Sequence, residues 1–252
     1  MKNFLQIQDL KLIYHTKKNE TLALGGVTFD VDEGEFVSVI GPSGCGKTSV
    51  LSLIAGLIEK SGGKIVFKGE EIKGTNKNVG YMLQKDHLFD WRTIEDNVTL
   101  PLEISSAKTK ENVAYVRELL NKYKLGDFTK FYPSQLSGGM RQRAALIRTL
   151  ATKPELLLLD EPFSALDYQT RLDVCDDVYS IIRREKKTAI LVTHDITEAI
   201  SLSDKIIVLS ERPSKVKKVF LTNFDKNVAP IKRRERKDFS EWFEKLYKEL
   251  KI

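Results

Sequence analysis

The octapeptide Gly41-Pro42-Ser43-Gly44-Cys45-Gly46-Lys47-Thr48 fits the spacing G-x-x-x-x-G-K-[ST], that of a loop built to hold phosphate. Its chemistry is anion capture. Glycines let successive backbone N–H groups turn toward phosphate oxygens, and a helix starting at the end of the loop adds partial positive charge. Lys47 is placed to reach β- and γ-phosphates, and the Thr48 hydroxyl to ligate Mg²⁺. The pattern carries weight only between a strand and a helix. Both are predicted: residues 35–40 read as a buried strand, and residues 47–58 as a helix with Val50, Leu51, Ile54 and Leu57 on one face.

Two further stretches supply complementary chemistry. Four leucines at 156–159 predict a central strand that ends in Asp160. Ligands of open α/β sheets bind beyond such C-terminal ends, so Asp160 can reach a metal held by Thr48. Glu161 follows at once and could accept a proton from an attacking water. Ser137, Gly138 and Gly139 open a helix carrying Arg141, Arg143 and Arg148. Their N–H groups and the Ser137 hydroxyl make a second anion site, although a plain helix N-cap would read the same way in isolation.

Positioning these groups needs a β/α framework, and the chain predicts one. Residues 4–8, 12–14, 27–31 and 36–40 read as strands, the first with the two-residue alternation of an antiparallel sheet wet on one side. Short strands follow at 64–67 and 79–83. From 86 to 152 the pattern turns helical: 93–100 with Thr93 as N-cap, 110–123 with Val113, Val116, Leu119 and Leu120 on one face, and 139–152. The β/α pattern then resumes with a strand at 155–159, a helix at 168–185, a strand at 188–192, a short helix at 197–202 and a strand at 205–209. An amphipathic helix at 240–250 closes the chain. Its Phe239, Trp242, Phe243, Leu246 and Leu250 are expected to pack on the protein's own core.

The 252 residues, 41% hydrophobic and 30% charged, suit one unit with a sizeable core. No apolar run approaches the roughly 20 residues that span a bilayer, and residues 1–9 lack a signal-peptide pattern. A soluble, non-secreted chain is therefore expected. Cys45 and Cys175 are its only cysteines, and the histidines lie scattered at 15, 87 and 194, which argues against a disulfide framework or a zinc cluster. The net charge of +6 falls entirely within residues 211–252, where 13 Lys and Arg outnumber 7 Asp and Glu. Because the signs are interleaved, a solvated surface is favoured over a site for anionic membrane or nucleic acid.

Taken in order, these motifs resemble the ATP-binding cassette (ABC) ATPases over about residues 4–210. The resemblance implies a P-loop, RecA-like α/β core with an N-terminal antiparallel β subdomain and an inserted α-helical subdomain. It divides the cassette into a nucleotide-binding core (1–85 and 153–210), a helical subdomain (86–152) and a basic C-terminal extension (211–252). Nucleotide contacts would come from Tyr14 stacked on adenine, from Gly41, Pro42, Ser43, Gly44, Cys45, Gly46, Lys47, Thr48 and Ser49, and from the signature residues Ser137, Gly138 and Gly139 of a second copy. Thr48, Gln84 and Asp160 would hold Mg²⁺. Glu161, His194, Gln84 and Lys47 would carry catalysis, and residues 164–167 match the D-loop.

The implied unit is a head-to-tail homodimer with ATP between the copies. Met140 stands where many members have Gln, outside the Ser-Gly-Gly phosphate contacts. The run around Met140, with Phe89-Asp-Trp91-Arg after Gln84, is similar to importer ATPases of the nitrate, sulfonate and taurine type. That implies a peripheral protein on the cytoplasmic face of the membrane. Its partners would be permease subunits, docking near Gln84, Leu88, Phe89 and Trp91, and an extracytoplasmic solute-binding protein. The competing expectation is a soluble ABC protein acting on nucleic acid or the ribosome. The short span between Gln84 and Leu136 and the lack of a heptad array leave little room for it.

Overall fold

The computed structural model describes residues 2–15 and 19–251. Strand β1 (Leu5–His15) pairs antiparallel with β2 (Glu20–Val31). The two strands expected at 4–8 and 12–14 are one, joined across a bulge. Asp9 takes φ +47 there and its N–H donates to Thr28 Oγ1 at 2.9 Å. Strand β3 (Phe36–Ile40) leads through the phosphate loop into α1 (Lys47–Ile54). That helix stops short of residue 58. Gly56 at φ +69 closes it, Leu57 N–H donates to Ser52 O at 2.9 Å, and Leu57 is left 57% exposed instead of joining Val50, Leu51 and Ile54 in the core. Strands β4 (Gly62–Phe67) and β5 (Glu70–Glu71) complete a four-stranded antiparallel sheet in the order β2-β1-β4-β5.

Strand β6 (Val79–Met82) is followed by α2 (Ile94–Ile104), α3 (Lys110–Lys122) and α4 (Gly138–Leu150). Thr93 caps α2 by accepting the Asp96 N–H. The helix runs past its expected end because Pro101 removes only one ladder bond. Val116, Leu119 and Leu120 of α3 are buried, whereas Val113 is only half-buried. Next come β7 (Leu156–Asp160), α5 (Tyr168–Arg184), β8 (Thr188–Val192), α6 (Ile196–Leu202) and β9 (Lys205–Leu209).

The last segment adds β10 (Val216–Leu221), α7 (Pro230–Arg234) and α8 (Phe239–Leu250). Neither β10 nor α7 was legible in the sequence. The second sheet runs β10-β9-β3-β8-β7-β6, parallel except for β10.

Every residue of β3, β7, β8 and β9 is buried, as a sheet covered on both faces requires. The leucine run of β7 splits by the two-residue period. Leu157 and Leu159 join the core made with α2 to α5, while Leu156 and Leu158 face α1 and the antiparallel sheet. Residues 211–252 fold back onto this framework. Leu246 and Phe224 pack with Ala199, Ile200 and Ile206, and Phe239, Trp242 and Leu250 lean on the same cluster. Phe243, expected on that face, stays 37% exposed. Among the described residues no helix is long and apolar enough to cross a membrane.

Candidate active site

The phosphate loop turns out of β3, where Gly44 and Gly46 take φ +73 and +106. A Cβ on Gly46 would meet Leu24 Cδ2 at 2.9 Å, so both the dihedral and the space demand glycine. The Lys47 ammonium curls across the loop, donating to Gly41 O at 2.9 Å and Pro42 O at 3.0 Å. Cys45 is buried and burial pushes its thiol pKa up, so it offers the loop its backbone rather than its sulfur. Tyr14 lies at the margin, half-exposed, its hydroxyl 2.9 Å from Ser49 Oγ at the start of α1.

Strands β6, β7 and β8 are parallel neighbours, so their C-terminal ends open side by side. Asp160 ends β7, 5% exposed; burial raises its carboxyl pKa, opposed by the hydroxyls it accepts from. Thr48 Oγ1 donates to its Oδ1 at 3.0 Å and Tyr81 Oη to its Oδ2 at 3.2 Å. Burial also pushes the Tyr81 phenol up to about 12, so the tyrosine acts as a neutral donor. The sequence reading missed Tyr81, whose only signal is its place on the strand beside β7.

Glu161, one residue on, adopts φ +44, with its N–H donating to Val192 O at 2.9 Å. This backbone turn swings its carboxylate toward the ends of both neighbouring strands. Gln84 Nε2, beyond β6, donates to Glu161 Oε2 at 3.3 Å, and His194 Nδ1, beyond β8, lies 3.1 Å from the same oxygen. Gln84, Glu161 and His194 therefore converge beside Asp160 and Thr48. A carboxylate between an amide and an imidazole can orient a water and take its proton.

The signature loop lies apart. Ser137 is exposed, and its hydroxyl accepts the Met140 N–H at 3.3 Å, capping α4. A Cβ on Gly138 would meet Leu166 at 2.9 Å, and one on Gly139 would meet Val174 at 2.8 Å, so the loop packs on α5 and the 164–167 turn. Among the described residues no hydrogen bond joins Ser137–Gly139 to the phosphate loop of the same chain. The sequence also gave no hint of the arginine links from α4. Arg141 Nε reaches Asp86 Oδ2 at 3.0 Å, and Arg148 donates to the carbonyls of His87 and Asp86 at 2.6 Å each. The segment after Gln84 is thus tied to the signature helix.

The oxygen donors fit Mg²⁺. No cluster of three or more His, Cys, Asp or Glu able to hold a metal by itself occurs among the described residues. The buried Asp160 carboxyl with the Thr48 hydroxyl against it is instead the hard, oxygen-only pair that suits an ion arriving on a triphosphate.

A parallel sheet that brings a lysine cradle and a buried carboxylate to one edge places the molecule among the P-loop nucleoside triphosphatases. Residues 24–164 match the family model for the ABC transporter domain. An uncharacterised ABC transporter ATP-binding protein of Bacillus subtilis, YtlC, is 47% identical over 98% of this chain and 96% of its own. An aliphatic sulfonates import ATP-binding protein of Bacillus cereus, SsuB, is 42% identical over 83% of each chain. Among solved structures, the MJ0796 cassette, dimeric and bound to ADP and Pi in a post-hydrolysis state, superposes with a TM-score of 0.73. It is 29% identical, with 88% of this chain and all of that one covered. The chain belongs to the ABC transporter family and is an ATPase subunit of that family.

Proposed function

We propose that the chain powers an importer. Mg-ATP binding and hydrolysis in a head-to-tail homodimer would drive uptake of a small anion, of the nitrate, sulfonate or taurine kind, through a separate permease. The chain would lie on the cytoplasmic face, with a solute-binding protein outside. The observation that carries the dimer is that Ser137 is exposed and that, among the described residues, no hydrogen bond joins the Ser137–Gly139 loop to the phosphate cradle of the same chain. A two-fold pair lets each loop close the other copy's cradle. The family name of MJ0796's dimer and the sulfonate-import names of the relatives support the same reading, and those names lend nothing to a role on nucleic acid or the ribosome.

In this reading the division into core, helical subdomain (86–152) and C-terminal extension holds. Tyr14 takes the adenine face, residues 41–49 wrap the phosphates, and Ser137, Gly138 and Gly139 of a second copy cover the γ-phosphate. Thr48, Asp160 and the Gln84 amide oxygen would hold Mg²⁺, whose charge would offset that developing on the phosphate oxygens. Lys47 leaves the Gly41 and Pro42 carbonyls for the β- and γ-phosphates. Glu161 orients a water in line with the γ-phosphorus and takes its proton as the new P–O bond forms and the bond to the β-phosphate oxygen breaks. His194 holds the γ-phosphoryl oxygens. Most of the rate comes from this positioning.

The Phe89 and Trp91 rings meet at 4.8 Å, tilted by 42°, with Trp91 74% exposed, an aromatic pair suited to a permease helix. Affinity purification of the tagged chain from detergent-solubilised membranes of its source cell tests the assignment. Recovery of a multispanning permease is the expected result. Recovery of ribosomal or nucleic-acid-bound complexes in its place would overturn it.

A further inference from the structure

His194 hangs on a short support. Val192 ends β8, Thr193 is 2% exposed, His194 projects, and Asp195 caps the seven-residue helix α6 through the N–H groups of Thr197 and Glu198. Thr193 Oγ1 donates to Glu198 Oε2 at 2.6 Å while accepting the Asp195 N–H at 3.0 Å. One hydroxyl thus closes the turn on both sides of His194. Glu198 itself is 3% exposed and belongs to no nucleotide motif. Two guanidinium groups act on it, those of Arg171 from α5 and Arg234 from α7, with Asp195 opposing them and the Cys175 thiol of α5 in the same field. Arg171 also pairs with Asp195 Oδ2 at 3.5 Å and donates to Leu166 O at 2.9 Å.

Arg234 comes from the C-terminal extension. Its Nη2 is buried with no hydrogen-bond partner among the described residues, and its charge lowers the pKa values of Glu198, Asp195 and Asp176 alike. The same extension grips the far end of α6. The fully buried Arg233 donates to Ser201 O at 3.0 Å and Asp225 O at 2.8 Å, and Thr222 Oγ1 donates to Ser203 O at 2.6 Å. The N-terminus of α7 is pinned by Ile231 N–H on Asp176 Oδ1 at 2.9 Å.

We propose that Glu198 and Arg234 are positioning residues for His194, so that the C-terminal extension braces the Thr193–Asp195 turn through α6 and α7. An isolated carboxylate this deep would be expensive; the Thr193 hydroxyl at 2.6 Å, with the positive charges of Arg171 and Arg234, offsets that cost. In the charged state Glu198 can only accept, which fixes the Thr193 hydroxyl as donor and with it the geometry of the turn. Burial raises the Glu198 carboxyl to about 7; the Thr193 hydroxyl opposes it first, then the charges of Arg171 and Arg234, and together they keep the charged form in reach at neutral pH. The extension therefore has a task in turnover, not only in folding.

The inference rests on His194 facing the γ-phosphate, and the test separates the two ideas. Steady-state ATPase kinetics of the full chain would be measured at pH 8 for Arg234→Met, Arg234→Lys, Glu198→Gln and His194→Ala. Arg234→Met and Glu198→Gln are expected to lower kcat about tenfold with KM for ATP within roughly twofold, because a misplaced group costs rate more than affinity. Arg234→Lys should recover most of that loss. Thermal melting at the same pH guards against unfolding as the cause, since Glu198→Gln should melt no lower than the parent. Normal turnover in Arg234→Met beside an inactive His194→Ala would overturn the brace alone. Normal turnover in His194→Ala would remove the histidine's role and the brace with it. Equal loss in Arg234→Lys and Arg234→Met, tracking a lowered melting temperature, would also overturn it.

Discussion

Glu161 holds φ +44, a conformation that costs a residue with a Cβ about 1–3 kcal/mol. The cost is offset by its N–H on Val192 O, and the result is a carboxylate aimed across two strand ends at Gln84 and His194. Glu198 carries strain of another kind, electrostatic rather than torsional. Its folded pKa, about 7, lies above the ordinary 4.5. Between those values the folded chain keeps a proton that the unfolded chain has released, so this group stabilises fully below about 4.5 and loses that contribution as pH rises through about 7. The window is worth roughly 3 kcal/mol as an upper figure. Melting temperatures of the parent and Glu198→Gln from pH 5 to 8 should therefore converge or cross as pH rises; a constant difference would refute the linkage. Lys47, Thr48, Asp160 and Glu161 could be read from the sequence because their spacing along the chain is itself the chemistry. Tyr81 and Glu198 could not, because each acquires its role from burial by strands and helices distant in sequence.

The helix α4 does two jobs at once: its first turn presents Ser137–Gly139, and its later arginines hold the segment after Gln84. Arg148 is buried enough that its guanidinium pKa falls below the ordinary value, and it satisfies the carbonyls of both Asp86 and His87. Arg148→Met would strand both carbonyls. The expected cost is about 2–4 kcal/mol, read as a lower denaturant midpoint with an unchanged m-value. A change within experimental error would mean that the two bonds are worth no more than their exchange with water. Buried parallel strands such as β7 and β8 were legible because continuous apolar runs of strand length have few other uses. The edge strand β10 was not. Its Val216-Lys-Lys-Val-Phe-Leu221 keeps lysines where alternation would put apolar residues, and Val219 and Leu221 stay exposed. Helix α7 is too short, and too basic, to show a period. The end of α1 was overrun because Leu57 continues the apolar spacing past the glycine that stops the helix.

At the scale of the molecule, charge and shape both changed meaning once the chain was folded. The positive excess of residues 211–252 looked like a property of a tail, yet Arg233 is fully buried and Lys217 and Lys218 both reach Glu249 of α8. Composition alone cannot separate a solvated charge from a structural one. Shape carries the larger lesson. In the proposed dimer the cradle and the Ser137–Gly139 loop of one copy would serve different nucleotides, so every catalytic centre would be shared property. Consider two preparations, each dead by itself: one with Lys47→Ala, the other with Ser137→Arg. In a mixed pair both lesions fall on the same nucleotide, and the opposite nucleotide meets an intact cradle and an intact lip. Mixing should therefore restore ATPase activity toward half of one normal dimer's centres, with a bell-shaped dependence on mixing ratio. Silence at every ratio would mean that one chain closes its own centre, or that both centres must fire together. Restored turnover would mean that inactivity in this protein is inherited by arrangement as much as by sequence, and that two broken parts can assemble into one that works.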